Sequence, residues 1–195
     1  MPQRRNMRRR EQLLDEIEAI VLVEGFRHLG VGELASRLHC SRSTLYKLAP
    51  SKTELMRTVF ARFVTRAFDD CEQAAERVTA PADKIVRYVL GLSDWTAKAS
   101  LEFWRDVRDF DITRGVLDAG SARGTRTVQR YMDQGIERGT LRPANSAFLA
   151  HIVWLAARAA RDPDVLERVG LSPGEAMAEL GRFIVYGMAL PPSET

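Results

Sequence analysis

Apolar residues return every three or four positions along almost the whole chain, and that period predicts one helix after another. Leu13, Ile17, Ile20 and Val21 form the first stripe, broken only by Glu24. Gly25 ends it, as a residue free to take positive φ commonly does. Leu34, Ala35 and Leu38 mark a short second helix, with Gly30 as N-cap and Glu33 three residues on. Ser41 caps a third helix, whose Leu45 and Leu48 face inward and which Pro50 stops. Ser51-Lys52-Thr53-Glu54 is a capping box, so a fourth begins at once. It continues through Leu55, Val59, Phe63 and Ala67, past residue 70. Pro81 opens a fifth, carrying Ile85, Val89, Leu92 and Trp95, and LEFWRDVRDF (101–110) predicts a sixth. A longer segment, 113–138, carries Val116, Leu117, Val128, Tyr131, Met132 and Ile136, but Gly115, Gly120 and Gly124 weigh against helix in its first half. FLAHIVWLAARAA (148–160) is apolar on more than one side. Ser172-Pro173-Gly174-Glu175 is a second capping box and launches the last helix through Met177, Leu180, Phe183, Ile184 and Met188. No run alternates with period two. The pattern predicts an all-α protein of about nine helices.

Composition changes this picture little: 45% hydrophobic and 28% charged residues in a 195-residue chain suit a folded globular protein. No apolar run is long enough to span a membrane. The basic start MPQRRNMRRREQ has no apolar stretch behind it, so a cytoplasmic location is expected. Cys40 and Cys71 are too few for a disulfide framework, and they and His28, His39 and His151 lack metal-ligand spacing. Neither a metal nor a cofactor is expected. Charge is more informative. Residues 1–57 hold 11 of the 29 Lys/Arg and 7 of the 26 Asp/Glu, a net of +4; the other 138 carry a net of −1. Arg4, Arg5, Arg8, Arg9 and Arg10 crowd the first ten positions. Excess positive charge confined to one end suits a polyanion.

Two short helices joined by the tight turn His39-Cys40-Ser41, after a longer supporting helix, make a helix-turn-helix. A helix entering the major groove shows donors on one side and holds its place with apolar contacts on the other. Leu34, Ala35, Leu38, Cys40 and Leu45 supply the inner contact. Arg42, Ser43 and Thr44 lie at the outward N-terminal turn, where arginine suits the guanine O6 and N7 acceptors. Tyr46, Lys47, Lys52 and the N–H groups opening the fourth helix suit phosphates.

Residues 12–60 resemble the DNA-binding region of TetR-family repressors. The matching features are Gly25-Phe26, Val31-Gly32-Glu33-Leu34-Ala35, Ser41 with Thr44-Leu45-Tyr46, and Pro50-Ser51-Lys52 with Glu54-Leu55. The resemblance implies a DNA-binding domain over 1–58, with a basic arm including Arg8, Arg9 and Arg10, and a ligand-binding and dimerisation domain over 59–195. It further implies a homodimeric transcriptional regulator, usually a repressor, that binds a palindromic double-stranded operator and is released by a small-molecule effector. The family's phosphate-contacting tyrosine maps to Tyr46, its lysine to Lys52, and its recognition-helix contacts to Arg42, Ser43 and Thr44. The chain departs from the family at Gly30 and Gly32, where Thr and often Arg are usual, at His39, where the turn has glycine, and at Lys47-Leu48-Ala49, where an aromatic-His-Phe run is frequent.

In the C-terminal part, Phe148, Ile152 and Leu155, with Phe183, Ile184 and Met188, exceed what one buried face needs and are expected to form the dimer interface. Tyr88, Trp95, Phe103, Trp104, Phe110, Tyr131 and Trp154 are candidates for lining an effector pocket, with core packing the alternative for each. Motifs for an enzyme are missing: there is no glycine-rich phosphate loop, G-x-S-x-G elbow or His-Glu-x-x-His. Asp106 and Asp109 sit in charge-mixed sequence with no sign of desolvation. The competing reading is a binding module of the same fold, for a small molecule or a protein, whose operator recognition has weakened or been lost.

Overall fold

The structure is a computed structural model and describes residues 2–188. Among these, ten helices and no strand are present. They are α1 (Pro2–Glu24), α2 (Val31–Arg37), α3 (Arg42–Tyr46), α4 (Lys52–Glu76), α5 (Pro81–Ala97), α6 (Leu101–Asp109), α7 (Asp111–Glu137), α8 (Ser146–Ala159), α9 (Pro163–Val169) and α10 (Pro173–Met188). No helix among the described residues is long and apolar enough to cross a membrane. The chain forms two compact units, one of residues 1–64 with 99–116, the other of 65–98 with 117–195.

In the first unit, α1 takes in the arginine-rich start as well as the apolar stripe. After Pro2 nothing before Gly25 breaks a helix, and Arg, Gln and Met all favour one. Leu13, Leu14, Ile17 and Val21 are buried from α1, Leu34 and Ala35 from α2, Leu45 from α3, and Met56, Val59, Phe60 and Phe63 from α4. Residues 99–116 complete this core. Phe103 on α6 places its ring 6.0 Å from Phe26, 5.9 Å from Phe60 and 5.8 Å from Phe63. Ser100 caps α6 through a bond from the Phe103 N–H, while its own N–H donates to the Leu22 carbonyl.

Asp106 departs from the expectation of a solvated carboxylate. It is 4% exposed, and its Oδ2 accepts from the backbone N–H groups of Phe26, at 2.5 Å, and Arg27, at 2.8 Å. Gly25 explains the close approach. Its φ is +77°, and a Cβ there would lie 2.6 Å from the same oxygen. The turn after α1 is therefore built around a carboxylate eighty residues away in sequence, where a local pattern gives no sign of it.

In the second unit, α10 lies along α5 at short range. The Ser93 hydroxyl of α5 donates to the Gly174 carbonyl. α7 is continuous despite its three glycines. At Gly124 the missing side chain has a use, since a Cβ would sit 2.9 Å from the Phe68 ring and 3.2 Å from the Tyr88 hydroxyl. Glu72 accepts both arms of Arg123, at 2.8 and 2.9 Å, and this bidentate partner is the main reason its carboxyl lies below the usual range. α9 lies beyond the sequence expectation. Asp162 caps it by accepting from the N–H groups of Asp164 and Val165, Pro163 occupies its first turn, and Gly170 ends it at φ +68°. The capping box ahead of α10 is reciprocal: Ser172 Oγ accepts from the Glu175 N–H, and Glu175 Oε2 accepts from the Ser172 N–H.

Candidate nucleic-acid interface and apolar cavity

α3 is five residues long and is held by its ends more than by its length. Ser41 Oγ accepts from the Thr44 N–H at 3.1 Å and lies within hydrogen-bonding distance of the Ser43 and Thr44 hydroxyls. Leu45 anchors the helix in the core, while Leu48 just beyond it is half-buried. The same five residues put Arg42, Ser43 and Tyr46 in solvent, with Lys47 beside them and Thr44 half-buried. Tyr46 is 51% exposed although it directly follows Leu45, which is 1% exposed.

The turn between α2 and α3 has its strain at His39, whose φ is +48° where a glycine would be relaxed. Gly30 caps α2 in an extended conformation with no side-chain bond. Gly32 has a neighbour: a Cβ there would lie 2.5 Å from Arg42 Nη2, so the guanidinium of α3 rests over the start of α2. An arginine at 32 could not coexist with that placement.

Lys52 opens α4 and is half-buried, and its ammonium donates to the Arg27 carbonyl at 2.8 Å. Burial lowers its pKa, and the charge of Asp106 opposes that. Ser51 Oγ accepts from the Glu54 N–H, which leaves the N–H groups of Lys52 and Thr53 at the helix start without intrahelical partners. On α1, Arg8 and Arg9 are exposed, with Arg9 4.0 Å from Glu16, and half-buried Arg10 donates to the Leu48 carbonyl. These three arginines are thus on a helix rather than an extended arm.

The second unit contains a cavity of about 590 Å³, counting its open mouth. Tyr88 and Trp154 line it, as do Phe68, Leu92, Ser121, Thr125 and Arg161, which no sequence pattern singled out. Trp95 and Tyr131 belong to the same unit but not to the cavity wall. Trp95 stacks under the Lys98 ammonium at 3.4 Å, and the Tyr131 hydroxyl donates to Glu76. Phe103, Trp104 and Phe110 lie in the first unit, with Phe103 against Trp104 and Phe110 against Phe26. Aromatic residues at helical spacing serve core and cavity alike, so periodicity could not separate the two uses.

Of the residues expected at a dimer interface, Phe148, Ile152 and Leu155 on α8 and Phe183 on α10 are exposed, Phe183 at 75%. Tyr186, one turn on, is 78% exposed and belongs with them. Ile184 points the other way, is buried and lines the cavity, because adjacent helical positions differ by about 100°. Met188 ends α10, and its side chain lies outside the described residues.

No family model matches the sequence, and no curated protein matches it either. Solved structures do. A protein from Saccharomonospora viridis in complex with choline, assigned as a transcriptional regulator, is 18% identical, covering 95% of this chain and 100% of its own, at a TM-score of 0.77. The reduced form of NemR from E. coli is 17% identical over 94% of this chain and 98% of its own, with a TM-score of 0.74. A TetR-family transcriptional regulator from Agrobacterium tumefaciens gives 11% identity, 95% and 100% coverage and a TM-score of 0.74. The chain has the all-α fold of TetR-family transcriptional regulators.

Proposed function

We propose that this protein is a transcriptional regulator, a repressor, that binds a palindromic operator as a homodimer and leaves it when a small molecule fills the cavity of the second unit. The observation that carries the proposal is α3. A five-residue helix that buries one leucine and presents Arg42, Ser43, Tyr46 and Lys47 to solvent adds little to a core. It has the form of a reading head. In this reading Arg42, Ser43 and Thr44 meet base edges. Tyr46, Lys47, Lys52 and the free N–H groups at the start of α4 hold phosphates, and Arg8 and Arg9 add long-range attraction. Exposed Phe148, Ile152, Leu155, Phe183 and Tyr186 supply an apolar surface that a second copy would cover, giving the two-fold symmetry a palindrome needs. The S. viridis protein, solved with choline, is in keeping with a small-molecule effector.

A second reading, a binding module with weakened operator recognition, is favoured by Gly30 and Gly32, which leave the start of α2 with no side chain to reach a phosphate. Selection of random duplex DNA on the purified protein, at two salt concentrations, separates the two. The regulator reading expects an enriched palindrome with half-sites about one helical turn apart or somewhat more. Salt-sensitive retention without a motif would favour the second.

A further inference from the structure

The polar groups around the cavity are of one kind. Its wall is mainly apolar, and no Asp or Glu lines it among the described residues. Tyr88 is 0% exposed, and its hydroxyl, beside Gly124 on the wall, has no hydrogen-bond partner among the described residues. The Trp154 indole N–H is buried in the same condition. Buried polar atoms in folded proteins almost always find partners, so two unsatisfied ones on one cavity wall call for something to complete them. An indole N–H can only donate. The Thr125 hydroxyl is already spent on the Ser121 carbonyl.

Arg161 adds a positive charge to this wall. Its Nε donates to the Ala157 carbonyl of its own helical turn. Burial first, and the like charge of Arg158 second, pull its pKa down to about 10, which leaves it protonated at neutral pH. The aromatic faces are also committed to cations. The Arg158 guanidinium lies 5.3 Å from the Trp154 ring centre and that of Arg123 lies 6.0 Å from Phe68. A quaternary ammonium entering here would meet like charge, no carboxylate, and rings already facing guanidinium groups.

We propose that the cavity takes an apolar molecule bearing an anionic acceptor group, a carboxylate, with Arg161, Tyr88 and Trp154 around the head and the apolar wall around the body. This rests on the reading of the cavity as the effector site. A carboxylate accepts from several donors at once and neutralises the buried guanidinium, whereas a neutral head does only the first.

The test holds one alkyl chain constant under three head groups. Decanoate, decanol and decyltrimethylammonium, each below its micellar range, are titrated into the purified full chain by calorimetry. Saturable decanoate binding, about tenfold or more tighter than decanol and with no saturable ammonium binding, is the expected result. Arg161→Gln should bring the decanoate-to-decanol affinity ratio to about one, and Arg161→Lys, which retains the charge, should preserve a preference for decanoate. Tyr88→Phe should weaken decanoate by about tenfold, with circular dichroism checking each fold. Equal or tighter ammonium binding, no binding of any of the three, or an unchanged ratio in Arg161→Gln would overturn the proposal. Release of a selected duplex is scored separately. Decanoate that binds as described without affecting DNA leaves the ligand class standing and removes the regulator reading.

Discussion

Replacing Asp106 by alanine removes the acceptor on which the α1–α2 turn is built. Two backbone N–H groups lose their partner: that of Phe26, which is buried, and that of Arg27, which water can reach in part. Each bond to a charged acceptor contributes about 1.5–3 kcal/mol, and an unsatisfied buried donor costs about 1–3 kcal/mol. Because Arg27 can recover a bond from water, the loss is below the simple sum, about 3–4 kcal/mol. Removing the carboxylate also takes away the charge that offsets the burial of Lys52. For a chain of this size, 1 kcal/mol moves the melting temperature by roughly 2–4 °C, so Asp106→Ala should lower it by roughly 6–14 °C. Asp106→Asn retains one acceptor oxygen without the charge and should lose about half as much. Thermal and urea denaturation of the full chain, followed by circular dichroism, measures both. An Asp106→Ala protein within about 0.5 kcal/mol of the parent would refute the reasoning. So would Asn proving as harmful as Ala, since that would make the charge and not the acceptor the important property.

Other substitutions test neighbouring points. Gly32→Ala should leave stability unchanged or raise it by up to about 1 kcal/mol. Its Cβ displaces the Arg42 guanidinium, so duplex selection should return a motif altered at one or two bases, and an identical motif would contradict the placement of Arg42. His39→Gly relieves a positive φ and should stabilise the fold by about 1 kcal/mol, which a denaturation curve would show directly; a lower midpoint would mean the imidazole has a role beyond the turn. Cys71 is buried and its thiol is pushed up to about 12 by burial above all, from an ordinary 9.0. The folded state then keeps a proton that the unfolded chain gives up, so this contribution to stability is intact below pH 9 and is lost as pH rises toward 12. Tyr88, shifted upward by burial, acts in the same direction. Cys71→Ala should flatten the alkaline loss measured between pH 8.5 and 10.5, and an unchanged slope would mean the thiol does not carry it.

What the sequence disclosed depended on how local the cause was. Caps and periods act within one or two helical turns, which is why Ser41, Ser51 and Ser172 mark real helix starts and why the stripes of α1, α4, α5 and α10 could be read directly. α9 has equally local signals in Asp162, Pro163 and Gly170, but its seven residues carry only two buried side chains, too few to make a period. α7 was obscured because glycine weakens a helix by propensity, whereas Gly124 is fitted to Phe68 and Tyr88, which only packing brings close. The same limit applies to the sites. A short polar helix after a turn is visible in one dimension. That Gly32 and Arg42 share a space, that Asp106 serves the turn at Phe26, or that Arg161 joins Tyr88 at one wall depends on contacts across many residues.

The bond from Asp106 to the turn after α1 also bears on the order in which the protein can be made. The helix-turn-helix is complete as sequence by residue 64, yet the carboxylate that closes its turn and the Phe103 ring that fills its core arrive only with residues 99–116. At a synthesis rate of roughly 5–20 residues per second, the nascent chain spends several seconds with Phe26, Phe60 and Phe63 made and their partner not yet added. The reading head is therefore one of the first parts translated and among the later parts to settle. A cassette cut after α4 for transfer to another protein would carry the α3 side chains without the groups that hold them in place.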